Sequence, residues 1–181
     1  MSISTKEKWV IDPVHSEIGF TVKHLMISNV KGKFNSFDAS IYTTGDNFMT
    51  AEIDCFIEAA SVDTGSADRD THLKSADFFD VENHPQISFT GNTVENVDGD
   101  GSYELWGDLT IKGISKKIKL DVEFGGVIKD PWGNEKAAFL IHAKINRKDW
   151  GLQWNVLLEK GGVLVSEEVK ISCEVQLMRG A

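Results

Sequence analysis

The protein has 181 residues, a length typical of one domain. Its 19 Lys and Arg residues against 28 Asp and Glu residues give a formal charge of −9, which disfavours nucleic acid as a partner, and 41% hydrophobic residues argue against a disordered chain. The apolar runs are too short for a membrane-spanning helix, and the N-terminal residues lack the apolar core of a signal peptide. We therefore expect one cytoplasmic domain over residues 1–181.

Alternation of apolar and polar residues predicts about eight β-strands. The first, Ser16–His24, places Phe20, Val22 and His24 on one face. The alternation recurs around Gly32–Tyr42, Ala51–Ile57, Ile87–Phe89, Leu105–Ile111, Ile118–Phe124, Ala137–Ile145 and Val163–Leu177. Hairpin connections are expected at Asp98–Gly101, Lys112–Ser115, Gly125–Gly126, Asp130–Asn134 and Gly161–Gly162. This order predicts an all-β protein with sequential antiparallel pairing.

A polar stretch interrupts the strands and predicts a short helical insertion around residues 64–76, capped by Thr64 or Ser66. The strands are long, which favours a barrel over a sandwich because a barrel interior must be lined along its whole height. The inward-facing residues are apolar and suit an apolar ligand in an enclosed lumen. The same residues would equally fill a dry sandwich core.

The sequence carries no common nucleotide-binding or nucleophile motif. The histidines lack metal-ligand spacing, and Asp98–Ser102 departs from a calcium loop at Tyr103 and Leu109, so we expect no metal or cofactor. Cys55 and Cys173 lie among inward-facing strand residues, which favours two buried thiols over a disulfide.

The segment Asp68–Asp80 mixes charged and aromatic residues and has two interpretations. In the first interpretation, the segment is a surface helix followed by Phe78 and Phe79, which fill the core. Alternatively it is a lid, in which these rings close one end of a cavity while Arg69 and His72 donate hydrogen bonds to an anionic head group.

His24 and a basic hairpin also leave two interpretations open. His24 is either a satisfied histidine at the rim of the core or a contact for a ligand head group. The hairpin that contains Lys112, Lys116, Lys117 and Lys119 is either a solvated turn or a contact for phosphate or a membrane surface.

Seven phrases in order resemble the YceI-like family of polyisoprenoid-binding proteins and span about Trp9 to Val175. They are Ile11–Ser16, Phe20–His24, Val30–Phe34, Asp68–Asp80, His84–Phe89, Gly107–Gly113 and Asn146–Gly151. The resemblance implies a lipocalin-like barrel of eight antiparallel strands with a helical insertion, which holds a long isoprenoid in an apolar pore. It also implies a homodimer, whereas the periplasmic address of many members does not carry over without their signal peptide. Where the family commonly has Asp-Phe-Gly, this chain has Asp149-Trp150-Gly151, whose larger ring would narrow the pore or shift its selectivity.

We therefore expect a non-enzymatic protein that binds a polyprenyl phosphate, a prenyl quinone or a similar amphiphile for sequestration, transport or storage. One alternative is a dry-core barrel that acts through its surface. A less favoured one is a lipid-modifying enzyme that assembles Asp12, His15, Asp70 and His72. The predicted ligand-binding residues are Phe20, Val22, His24, Arg69, His72, Phe78, Phe79, Phe89, Leu109, Ile111, Phe139, Ile141 and Trp150.

Overall fold

The computed structural model describes residues 6–25, 27–45, 47–96, 101–155 and 165–179. Within these ranges the chain is almost entirely β-structure with one α-helix, α1 (Ala67–Lys74). The strands are β1 (Lys6–Ile11), β2 (Glu17–His24), β3 (Ser28–Phe34), β4 (Phe37–Thr44), β5 (Asn47–Glu58), β6 (Val62–Asp63), β7 (Gln86–Asn96), β8 (Ser102–Ile111), β9 (Ile114–Lys129), β10 (Glu135–Asn146) and β11 (Glu168–Arg179).

The strands close into one antiparallel barrel in which each ribbon pairs with its neighbours in the chain. Strand β1 closes the ring because it pairs with β4 on one side and with β11 on the other. Strand β2 continues β1 along β11, and β3 pairs with β2 before the chain continues into β4. Strand β6 continues β5 and pairs with β3. Each of the first three ribbons therefore consists of two strands, and eight ribbons form the barrel, as the sequence predicts.

The ribbons differ from the predicted strands at two places near the N-terminus. The alternation predicts no strand before Ser16, yet Lys6–Ile11 forms β1 and pairs with β4 and β11. The predicted strand Gly32–Tyr42 is interrupted at Asn35–Ser36. Across Asn35–Ser36 the buried residues change from even to odd numbers, from Phe34 to Ala39 and Ile41, so the side chains keep facing inward although the strand is interrupted.

The predicted helical insertion is confirmed, with bounds slightly narrower than residues 64–76. The Ser66 hydroxyl is the N-cap and accepts a hydrogen bond from the backbone N–H of Arg69 at 3.4 Å. Thr64 instead donates through its hydroxyl to Asp70 Oδ1 at 2.6 Å, which ties the helix to the preceding loop. In the part of the chain that the structure describes, no helix has the length and apolarity to cross a bilayer.

The predicted connections have three outcomes. Asp130–Asn134 is a turn, in which Asp130 Oδ1 accepts hydrogen bonds from the backbone of Trp132 and Asn134. Gly125–Gly126 is not a turn: it lies inside β9, where Gly126 has a φ of 97° and the register with β10 shifts, so these glycines form a bulge. Residues 97–100 and 156–164, which include most of Asp98–Gly101 and all of Gly161–Gly162, lie outside the described residues.

The two ends of the barrel are built differently. At the end that carries the β4–β5 and β9–β10 connections, an aromatic plug consists of Trp9, Phe48, Phe124 and Phe139, whose ring centroids lie 5.0–5.1 Å apart in contacting pairs. Trp9 is fully buried and its Nε1 donates to Thr43 Oγ1 at 3.1 Å. The opposite end, the helical end, carries α1, the β2–β3 turn and the chain that follows β10.

Candidate ligand cavity

A cavity of about 660 Å³ lies inside the barrel. It extends from Phe48 and Phe139 of the aromatic plug to the exposed residues Asp68 and Arg69 at the helical end. This volume is within the roughly 300–1,000 Å³ range of small-molecule sites. Because successive strand residues point to opposite faces, the wall is made of the inward-facing apolar side chains of every ribbon.

Charged residues and histidines line the cavity only at its helical end, within the described residues. We call this group the mouth, and it consists of His24, Asp68, Arg69, His72 and Arg147. The remaining wall is dominated by Ile, Leu, Val and Phe side chains. The cavity is therefore amphiphilic along its length, with an apolar interior and a polar mouth.

The structure brings the sequence-predicted ligand residues together, with one exception. The predicted residues that line the cavity are Phe20, Val22, His24, Arg69, His72, Phe78, Phe79, Phe89, Leu109, Ile111, Phe139 and Ile141. Their contact with a ligand stays a prediction. The exception is Trp150, which is absent from the cavity wall.

Trp150 fills a gap in the barrel wall and does not narrow the pore. The residue is 2% exposed, and Nε1 donates to the backbone carbonyl of Leu109 at 2.8 Å. Strands β9 and β10 pair only as far as Asp121 and His142, and Trp150 lies with residues of both strands beyond that point. The large ring thus replaces backbone pairing that the two diverging strands do not make.

Arg147 is a lining residue that the sequence prediction missed. The residue is 3% exposed, and burial lowers its pKa although the nearby Glu167 carboxylate raises it. Arg147 continues the inward parity of Ala137–Ile145, so the alternation itself contains the signal that identifies it.

The aromatic and charged side chains of the predicted lid pack against one another at the mouth. The His72 ring lies edge-on to Trp154 at 4.5 Å and to Phe78 at 5.1 Å, and His72 Nε2 lies 2.9 Å from Asp77 Oδ2. Arg69 donates through Nε to the Thr64 hydroxyl at 2.7 Å. Phe78 is buried in the core, as the first interpretation predicts, and it also lines the cavity; the lid interpretation stays a prediction.

The four residues of the enzymatic alternative do not come together in the cavity. Asp12 and His15 form a 2.8 Å pair that also includes Lys136, and neither lines the cavity. Asp70 accepts hydrogen bonds from Thr64 and does not line the cavity. Of the four residues, His72 alone lines the wall. Among the residues with described positions, no three His, Cys, Asp or Glu side chains are grouped so as to hold a metal ion.

Both cysteines are free and contribute to the cavity wall. Burial, reinforced by the proximity of Cys173, raises the pKa of Cys55 to about 12. Burial likewise raises the pKa of Cys173 to about 11. The two thiols are therefore protonated at neutral pH and behave as small apolar side chains.

The basic hairpin lies outside the cavity wall. Lys112 Nζ donates to the backbone carbonyl of Ala76 at 3.3 Å, which ties the β8–β9 turn to the segment after α1. Lys117 Nζ lies 5.9 Å from the centre of the Trp106 ring, and Lys119 lies 3.8 Å from each of two carboxylates. These side chains have partners on the outer surface of the barrel.

Comparison with known proteins gives one family over nearly the whole chain. Residues 9–177 match the family described as YceI-like domain. A UPF0312 protein of Staphylococcus aureus strain MSSA476 is 36% identical over 169 residues, which cover 93% of this chain and 95% of that protein. Among solved structures, a YceI protein of Campylobacter jejuni is 33% identical with a TM-score of 0.71 and full coverage of both chains. A polyisoprenoid binding domain from Saccharophagus degradans shares the fold, with a TM-score of 0.68 at 15% identity over 95% of this chain and 98% of that one.

Proposed function

The chain belongs to the YceI-like domain family, and from this premise we propose that it binds a long-chain isoprenoid or a similar amphiphilic lipid inside the barrel. The observation that carries the proposal is the cavity of about 660 Å³, whose wall is apolar and whose charged residues are confined to the mouth. The polyisoprenoid binding domain of Saccharophagus degradans, which has the same fold, supports this class of ligand.

The shape of the cavity gives the ligand an orientation. A prenyl tail offers few polar contacts, so its affinity comes from apolar burial, at about 0.8 kcal/mol per CH₂ before the cost of ordering the chain. The tail accordingly extends toward Phe48 and Phe139 of the aromatic plug. The polar head stays at the mouth, beside His24, Arg69 and His72.

We further propose that the protein carries or stores the lipid without catalysing a reaction. A homodimeric assembly stays a prediction. The apolar part of the cavity is lined by groups that hold no charge at neutral pH, and its two thiols are protonated. Such a lumen favours retention of an unmodified lipid.

A substitution that fills the lumen tests the proposal. Val22 lines the cavity, whereas its neighbour Lys23 is exposed and points outward. We expect Val22→Trp to weaken binding of geranylgeranyl phosphate by about tenfold or more, because the indole displaces several buried carbons of the tail. Lys23→Trp is the matched control and leaves binding unchanged. Native mass spectrometry after incubation with the lipid measures occupancy in both variants.

Two outcomes would contradict the proposal. One is an unmodified protein that retains no prenyl lipid in native mass spectrometry, either as purified or after incubation. The other is a Val22→Trp variant with a native circular dichroism spectrum and undiminished occupancy, which would place the lipid outside the barrel.

A further inference from the structure

Among the described residues, Arg69 and Arg147, which line the cavity, make no ion pair, whereas Arg179 makes two. Arg179, at the plug end, lies 3.3 Å from Glu7 and 2.7 Å from Glu135. Arg147 and Arg69, within the described residues, bond backbone carbonyls and one hydroxyl, and no carboxylate lies within ion-pair distance. Two positive charges therefore line the cavity without a direct ion pair to any described carboxylate, although Asp68 shares the mouth and Glu167 lies near Arg147.

The guanidinium of Arg147 has one nitrogen that is poorly engaged. Nε donates to the carbonyl of Ser166 at 2.9 Å, and Nη1 donates to the carbonyls of Leu152 at 2.6 Å and Trp154 at 2.9 Å. Nη2 has a single contact with the carbonyl of Val165, 3.4 Å long. A guanidinium has five N–H donors, so Nη2 retains donor capacity.

The position of Arg147 is central to the mouth. Two of its acceptors, Val165 and Ser166, lie in the segment that pairs with Lys23 and His24. The guanidinium also lies 5.9 Å from the centre of the Phe78 ring, beside the aromatic side chains that pack on His72. The fixed charge of Arg147 is thus held where a ligand head group at the mouth would lie.

Resting on the proposed function, we infer that the mouth selects an anionic head group, a phosphate or a carboxylate, and that Arg147 determines this selectivity. A buried cation is stabilised by a paired anion, and backbone carbonyls supply only partial charges. An alcohol or quinone head would leave the guanidinium bonded only to backbone carbonyls, without an anion in direct contact. A phosphate or carboxylate would pair with Nη2 and with the donors of Arg69 and the mouth histidines.

Three ligands with the same tail test the inference: geranylgeranyl phosphate, geranylgeranoic acid and geranylgeraniol. We expect the unmodified protein to bind both anions about tenfold or more tightly than the alcohol, as a charge-assisted hydrogen bond supplies. Arg147→Gln should remove most of this preference while the dissociation constant of the alcohol changes little. Arg147→Lys should retain part of it. Lys23→Gln is the control, since it removes an exposed charge near the mouth that does not line the cavity.

The comparison of anion with alcohol separates the possible results. Equal affinity for all three ligands in the unmodified protein would overturn the inference and leave the proposed function standing. An Arg147→Gln variant that weakens all three equally would also overturn it, because Arg147 would then act only by holding the mouth segments. Binding of none of them would refute the proposed function itself. The tighter binder of geranylgeranyl phosphate and geranylgeranoic acid identifies the preferred head group as a phosphate or a carboxylate.

Discussion

At the scale of single residues, two glycines allow aromatic rings to lie flat against the barrel wall. A Cβ at Gly32 would lie 2.3 Å from Cζ of Phe20, and a Cβ at Gly107 would lie 2.5 Å from Cζ of Phe89. Glycine in a strand commonly marks such a close approach. The sites differ in one respect, because the Cβ at Gly107 would also lie 2.5 Å from the backbone oxygen of Thr90.

We predict that alanine costs more stability at Gly107 than at Gly32. The Phe20 ring lines the cavity and can rotate into it, whereas the backbone at Thr90 is fixed by pairing between β7 and β8. Gly107→Ala should lower the free energy of unfolding by about 3 kcal/mol and Gly32→Ala by about 1 kcal/mol. Urea unfolding of the two variants measures the difference, and equal costs would show that the wall yields at Gly107 as easily as at Gly32.

Side-chain parity explains which cavity residues the sequence predicts. Phe20, Phe89 and Ile141 follow from alternation because a strand residue has one of two directions. Arg147 obeys the same parity, but a charged side chain at the end of a strand is ordinarily solvated. Trp150 lies in a 3₁₀ turn, where the period of two does not apply, and its placement depends on the separation of β9 and β10.

At the scale of elements, a buried carboxylate organises the interruption between β1 and β2. Asp12 is 6% exposed and accepts hydrogen bonds from the backbone of Val14 at 3.1 Å and from Lys136 Nζ at 3.1 Å. His15 Nδ1 lies 2.8 Å from the same carboxylate. Burial raises the pKa of Asp12, but the hydrogen bonds from His15, Lys136 and Val14 outweigh it and hold the pKa below 3.8.

We predict that Asp12→Asn destabilises the barrel in a pH-dependent way. Removing one partner of a buried ion pair costs about 3 kcal/mol, so the variant should be less stable by about this amount at neutral pH. The pKa of Asp12 is lower in the folded protein than its ordinary value of 3.8. The stabilisation is therefore complete above pH 3.8 and is lost as the pH falls through the folded pKa. Thermal unfolding across this range should therefore show the difference between the two proteins shrinking in acid.

An exposed ion pair provides the control for Asp12. Lys6 and Glu52 lie 2.8 Å apart with both side chains more than half exposed. Glu52→Gln should change the free energy of unfolding by about 0.5 kcal/mol or less. If Asp12→Asn were as mild as this control, the cluster would not organise the interruption.

The interruptions and bulges of the ribbons involve pairing with partners that are distant in sequence. Alternation predicts one strand through Phe34 and Ile41, whereas the chain forms β3 and β4 with an interruption between them. Gly125–Gly126 has the composition of a turn, yet pairing with β10 on either side keeps β9 continuous through it. Strand identity is therefore local information, whereas bulges and interruptions follow from closure of the barrel.

At the scale of the whole molecule, the barrel has a polarity from the aromatic plug to the mouth. The 12 residues of β11 extend about 40 Å, which corresponds to a barrel height of about 30 Å at the usual strand tilt. Apolar residues line the cavity down to Phe48, so a tail that enters at the mouth gains buried area until it reaches the plug.

We predict that affinity rises with tail length and then reaches a plateau. Each five-carbon unit adds roughly 4 kcal/mol of transfer free energy before ordering costs, so successive units should tighten binding by about tenfold or more. Ala51 lines the cavity and packs in the cluster that contains Phe48. Ala51→Phe should shorten the lumen from the closed end and move the plateau to a shorter tail, without weakening the shortest ligands.

Titration of geranyl, farnesyl and geranylgeranyl phosphates, followed by longer homologues, measures the plateau. Asp54→Phe is the matched control because Asp54 is exposed on the same strand and does not line the cavity. If Ala51→Phe weakened every tail by the same factor, the tail would not reach the plug. If neither variant moved the plateau, a contact at the mouth alone would set affinity. A plateau displaced only by Ala51→Phe would show that the distance from the mouth to the plug limits the tail length that the cavity can bury.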